Sequence, residues 1–243
     1  MQKHSLTTSL LAASLAFTIA APAHAVTLDG GHTDILPRYQ AGTWTWTVVD
    51  ENGDSFALDS ILFRANLNSL QISPADPAFT PILGAPGSPV WILPQSEQVG
   101  KLFLGIDAST TGAGVFTGNQ VTLTLSGVSG PGEFAMYSVG GLGIPTAFFN
   151  TRDGLNPAAD KISLNSASSH SHFAWAFSEP GDYTLSVLPT ATLAAGDVPI
   201  AGPAVQWNFQ VVPEPGSAAL LALGGLCLAR RRRVARGCTT DGR

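Results

Sequence analysis

The sequence predicts an all-β fold: an antiparallel β-sandwich of jelly-roll or immunoglobulin-like type, with an N-terminal signal helix ahead of it and a short C-terminal apolar helix behind. Three observations predict it. Gly (26) and Pro (17) together exceed a sixth of the 243 residues, and both destabilise helix interiors, Gly through backbone entropy and Pro through a lost donor and a steric clash. Only 12% of residues are charged while 44% are hydrophobic, which is too apolar a balance for a disordered chain. Period-two alternation of apolar and polar residues recurs through the middle of the chain, without an amphipathic helical pattern beside it.

The elements follow in order. Residues 1–25 begin Met-Gln-Lys-His, continue through an apolar run from Leu10 to Ala21 and end Ala23-His24-Ala25. A basic start, a short apolar run and small residues at a cleavage point describe a secretory signal peptide. The run is short of the roughly 20 apolar residues of a membrane span. Signal peptidase is expected to cut between Ala25 and Val26, leaving residues 26–211 as the exported domain. Within it, Thr43 to Val48 places Trp44, Trp46 and Val48 on one face and threonines on the other, as a half-buried strand requires. Val121, Leu123 and Leu125 alternate with Thr122 and Thr124, and Phe134 to Val139 follows the turn signal Gly130-Pro131-Gly132. Further strands are read at 56–63, 101–106, 170–177, 183–188 and 205–211, separated by turn clusters such as Asp50-Glu51-Asn52-Gly53-Asp54 and Glu179-Pro180-Gly181-Asp182. The Pro- and Gly-rich stretch 73–94 is expected to be a long loop across one end of the sandwich.

Residues 212–243 form a second address. Pro213-Glu214-Pro215 precedes a run of Ala, Leu and Gly from Ser217 to Ala229, and then come Arg230, Arg231, Arg232 and Arg233. A short apolar segment enters a bilayer only marginally, and arginines hold its end on the cytoplasmic side. This order of motif, apolar helix and basic cluster resembles the PEP-CTERM sorting signal of Gram-negative bacteria. The resemblance implies transient anchoring in the inner membrane, cutting near Pro-Glu-Pro by an exosortase, and delivery to the cell surface or extracellular matrix. The ten residues after the arginines, 234–243, make a longer tail than that pattern usually has.

Removing both addresses changes the electrostatics. Between Val26 and Val212 five basic residues face fifteen acids, a formal charge of −10. Such a domain lacks the positive footprint of a nucleic-acid binder and is repelled by anionic headgroups. Cys227 and Cys238 both lie in the sorting tail, so the exported part holds no disulfide, thiol nucleophile or thiolate ligand and rests on its core.

Three histidines fall in the exported domain: His32, His170 and His172. Residues i and i+2 of a strand point to one side, so His170 and His172 present two imidazoles to one point. His32 would complete a set of nitrogen donors for one zinc or copper ion. Asp34, two residues from His32, could add a carboxylate as a ligand or fix a ring tautomer from outside. Against this, His-X-His pairs on solvent-facing strand edges usually bind nothing. Gly31-His32-Thr33-Asp34, the block 130–137, the loop 149–155 and His170 to Phe177 with Pro180-Gly181-Asp182-Tyr183 are together similar to the choice-of-anchor M domain, a family related to the actinobacterial surface-anchored repeat. That family carries no assigned activity; some relatives are encoded near metal-type ABC transporters, so the resemblance implies metal handling by association only.

Other candidates are weaker. The acidic turn Asp50 to Asp54 lacks the full calcium-loop pattern, and Asp153 and Asp160 flank a glycine loop without one. The tryptophans Trp44, Trp46, Trp91, Trp175 and Trp207 could stack on sugar rings but more often build cores. No Gly-X-Ser-X-Gly, His-Glu-X-X-His or phosphate-loop motif is present. The sequence therefore points to a non-enzymatic, surface-sorted module with a histidine-based metal site. The alternatives are a protein that binds extracellular polysaccharide, and a metal-dependent enzyme using an open coordination position.

Overall fold

Alternation along the strands sorts side chains between an aromatic core and solvent, and three sheets result. The structure is a computed structural model in which residues 26–213 are described. The signal helix with Ala25, and the C-terminal helix with Glu214, Pro215, Arg230, Arg231, Arg232 and Arg233, lie outside the described residues. No helix among the described residues is long and apolar enough to cross a membrane.

The largest sheet has seven strands. Its order is Val26–Leu28, Ile61–Ala65, Val205–Val211, Gly181–Leu193, Phe116–Ser129 and Lys161–Asn165, with Val198–Ala201 also paired to Gly181–Leu193. A five-stranded sheet runs Pro145–Asn150, Phe134–Val139, Ala174–Phe177, Pro89–Leu93 and Leu70–Ile72. A second five-stranded sheet runs His170–His172, Leu102–Asp107, Gly31–Gln40, Thr43–Asp50 and Ser55–Ala57. One core joins all three: Ile35 and Leu104, Trp175 and Phe177, and Leu185, Trp207 and Phe209 are all buried in it. Trp175 meets Trp207 at 5.5 Å between ring centroids, and Phe177 meets Phe209 at 5.2 Å. Such aromatic pairs add about 0.5–1.5 kcal/mol each beyond the area they bury. The all-β sandwich is thus the fold of the described residues.

Three expectations need correction. The pairing is not wholly antiparallel: Val26–Leu28 with Ile61–Ala65, Ile61–Ala65 with Val205–Val211, and Gly31–Gln40 with Leu102–Asp107 are parallel. Alternation carries no information about direction, and a parallel neighbour needs a long crossover. Between Gly31–Gln40 and Leu102–Asp107 the chain visits both other sheets, which supplies one. The stretch 73–94 is also more than a loop. It holds the short helical turns Pro77–Phe79 and Thr80–Leu83 and then Pro89–Leu93, an interior strand with four of its five residues buried. Trp91 and Leu93 face the main core while Val90 and Ile92 face a smaller cluster under Ile82 and Leu83. A strand covered on both faces shows an unbroken apolar run instead of alternation, so its proline-rich flanks dominated the reading.

The reading at 170–177 also divides. His170–His172 belongs to the second five-stranded sheet, and Ala174–Phe177 to the first, with Phe173 buried at the junction. Trp175, fully buried, fastens the two together by donating from Nε1 to the Leu104 carbonyl at 3.0 Å. The substitution Trp175→Phe removes that bond and leaves a void, and it is expected to lower unfolding stability by about 2–4 kcal/mol in urea denaturation.

Candidate metal centre

The outer face of the His-bearing sheet is set by register. His32 lies opposite Phe103, and Asp34 opposite Gly105, on the parallel side of Leu102–Asp107. On its antiparallel side His172 lies opposite Gly105 and His170 opposite Asp107. Residues between them, Thr33, Ile35, Leu104 and Ile106, point inward and are buried. Alternation therefore sends His32, Asp34, Phe103, Gly105, His170 and His172 to one outer surface.

The four sequence-predicted ligands meet there. Their ligand atoms all lie within 4.8 Å of one another. His32 Nε2 stands 3.1 Å from His172 Nε2, which stands 3.3 Å from His170 Nε2. Asp34 reaches His170 Nε2 with Oδ1 at 3.0 Å, His32 Nε2 with Oδ2 at 3.2 Å, and His172 Nε2 with Oδ1 at 3.6 Å. For a tetrahedral ion with nitrogen donors at about 2.0–2.1 Å, the donors themselves are about 3.3–3.4 Å apart. Two of the nitrogen–nitrogen distances come near that value and all four ligand atoms lie within 4.8 Å of one another, so the cluster could hold a metal ion. The carboxylate also sits on the Nε2 side of each ring, where a ligand belongs. A partner that only oriented the rings would sit at Nδ1.

Two residues that the sequence reading left out complete the geometry. Gly105 lies between Asp34 and His172, and a Cβ there would overlap Asp34 Oδ1 and the His172 ring. Its missing side chain lets the two flanking side chains lean over the middle strand and meet. Phe103 stacks on His172, 3.7 Å between centroids and 14° between planes, and holds the ring in place. A glycine inside a predicted strand marks a close approach, so the signal for Gly105 was present in 101–106.

Burial grades the ligands. His172 is the deepest imidazole, with 14% of its side chain exposed against 37% for His32 and 44% for His170. Burial pushes the His172 pKa down to about 4; the Asp34 carboxylate opposes this, and the neighbouring His32 and His170 reinforce it. Its imidazole is therefore neutral at pH 7, the form that binds metals. Its Nδ1 is buried without a well-formed hydrogen bond, while the Leu104 carbonyl favours the protonated ring only weakly.

The other candidates have structural duties. Asp50 Oδ1 accepts from the backbone N–H of Asn52 and of Asp54, 2.9 Å each, and so closes the acidic turn. Buried Asp160 accepts from Asn150 N–H at 2.8 Å and Asn156 N–H at 2.6 Å. Trp91, Trp175 and Trp207 are buried, while Trp44 and Trp46 are half-buried against Phe116 and Trp207. Val26 opens the first strand, and Pro213 lies just beyond the last.

Depression of the His172 pKa sets a pH dependence. Between pH 6.5 and about 4 the unfolded chain binds a proton at this site and the folded one does not. Stability therefore falls as pH drops through that window, by up to about 3 kcal/mol. Urea denaturation in chelator should show this loss between pH 7 and pH 4.5 for the unmodified protein, and a flatter profile for His172→Gln.

Comparison with known proteins adds one finding. Residues 211–233 match the PEP-CTERM protein-sorting motif. No curated protein and no solved structure matches the chain. Of the sandwich strands the match takes in only Val211, and no comparison supports the choice-of-anchor M likeness. The motif implies processing by an exosortase, export and sorting to the cell surface.

Proposed function

We propose that this chain is a non-enzymatic, surface-sorted β-sandwich whose outer face binds one transition-metal ion, zinc or copper. In this reading signal peptidase releases the chain at Val26, and the tail holds it transiently in the inner membrane before it reaches the surface or matrix. The likeness to the choice-of-anchor M domain belongs to the same reading. The observation that carries it is the convergence of three Nε2 atoms and one carboxylate from strands up to 140 residues apart. Nitrogens 3.1–3.3 Å apart, with the Asp34 carboxylate against all three rings, are spaced as neutral imidazoles that hydrogen-bond when metal-free and as donors that can share one ion. Nitrogen and oxygen donors without thiolate suit borderline ions such as zinc and Cu(II).

Residues 26–212, stripped with chelator and reloaded with zinc or copper, should retain about one ion per chain by elemental analysis. The His172→Ala variant should bind at least about 100-fold more weakly, since even indirect partners of a ligand are worth about 10–100-fold. Failure to retain any ion, or full retention by the variant, would overturn the proposal.

A further inference from the structure

Whether the fourth donor binds decides what such a centre can do. Three histidines alone leave a position open for water, as catalytic zinc sites do, whereas four protein ligands close the shell. Asp34 has 12% of its side chain exposed, and both its carboxylate oxygens are turned onto the Nε2 atoms. Oδ1 lies 3.0 Å from His170 Nε2 and 3.6 Å from His172 Nε2, and Oδ2 lies 3.2 Å from His32 Nε2, close to the 3.1 and 3.3 Å that separate His172 Nε2 from its two neighbours. An ion held among these atoms has protein donors on four sides. Tetrahedral nitrogen and oxygen coordination suits zinc, whereas Cu(II) prefers a tetragonal arrangement.

The placement of the ligands has a mechanical side. His170–His172 is a three-residue strand at the edge of its sheet, paired to Leu102–Asp107 alone. His32 and Asp34 come from the strand on the far side of Leu102–Asp107. An ion bound by all four therefore bridges two strands that share no backbone ladder, across a spacing of about 9.5 Å. The bridge passes over Gly105, the one residue of the middle strand at that level. We infer that the cluster is a closed, tetrahedral, zinc-type centre with Asp34 as its fourth ligand, and that the ion clips the edge strand His170–His172 to Gly31–Gln40 over Gly105. This rests on the metal-binding reading above and assigns the ion a fastening role instead of a catalytic one.

Residues 26–212 carry the core that joins all three sheets and serve for the test. Cobalt(II) reports the coordination number: four-coordinate cobalt absorbs visible light intensely, and five- or six-coordinate cobalt does so weakly, while Asp34→Asn reports whether the fourth donor is the carboxylate or water. The unmodified protein loaded with cobalt should give the intense spectrum. Zinc should slow amide hydrogen exchange in the peptides holding His170–His172 and the start of Gly31–Gln40. Asp34→Asn should weaken zinc binding by about 100-fold or more and remove the protection. Gly105→Ala, whose backbone has no positive φ to strain, should fold but lose the ion by a similar factor. Circular dichroism without metal checks that both variants fold. Unchanged zinc affinity in Asp34→Asn would overturn this inference and leave a three-histidine site standing, and a weak cobalt spectrum would overturn the tetrahedral shell. Absence of any bound ion in the unmodified protein would overturn both.

Discussion

Register across three strands is the constraint from which the site follows. Once Gly105 is level with Asp34 on one side and His172 on the other, period two carries His32 and His170 to the same surface. A slip of one residue by Gly31–Gln40 would turn His32 and Asp34 into the core and bring Ile35 out, and a slip by His170–His172 would turn both of its imidazoles inward. The apolar interior thus fixes the polar exterior. Burial of Ile35, Leu104 and Ile106 holds the strands in the only register in which the donors meet. The cost of displacing three such side chains into water, about 1.5–3 kcal/mol each, is what enforces it.

The second determinant is the way one stretch of chain serves two sheets. His170–His172 places two imidazoles on an outer face, and Ala174–Phe177, beyond the single residue Phe173, supplies core. Small and large residues alternate there because both faces are covered: Trp175 and Phe177 fill the main core, and Ala174 and Ala176 fit the smaller cluster. The Trp175 bond to Leu104 ties this switch to the strand beneath the histidines. Packing at the centre of the molecule is in this way coupled to the position of rings at its surface.

Much of this could be read in the residues. Alternation at Thr43–Val48, Val121–Leu125 and Val205–Val211 marked half-buried strands, because one wet face leaves a period-two trace. The histidine pair and its partner His32 were legible as donors, since chemistry and spacing alone pick them out. Strand direction was not, because side-chain pattern is the same whichever way a neighbour runs. Pro89–Leu93 was hidden by being covered on both sides. The part played by Asp34 depended on which ring nitrogen it met, a matter of three-dimensional approach. Gly105 left only an absence in the sequence, and what fills the space above it comes from residues some 70 positions away on either side.

The end of the last strand bears on how the module is displayed. Val211 still pairs with Gly181 and Ala65, and Val212 is held from both sides, donating to the Ala65 carbonyl and accepting from Trp91 Nε1 at 3.0 Å. The sorting motif begins at Val211 itself. There is no spacer between the folded body and the recognition sequence. An exosortase that reads Pro-Glu-Pro therefore has to reach a motif whose first proline, Pro213, follows directly on the hydrogen-bonded end of the sheet, so the folded body itself shapes the approach to the processing site.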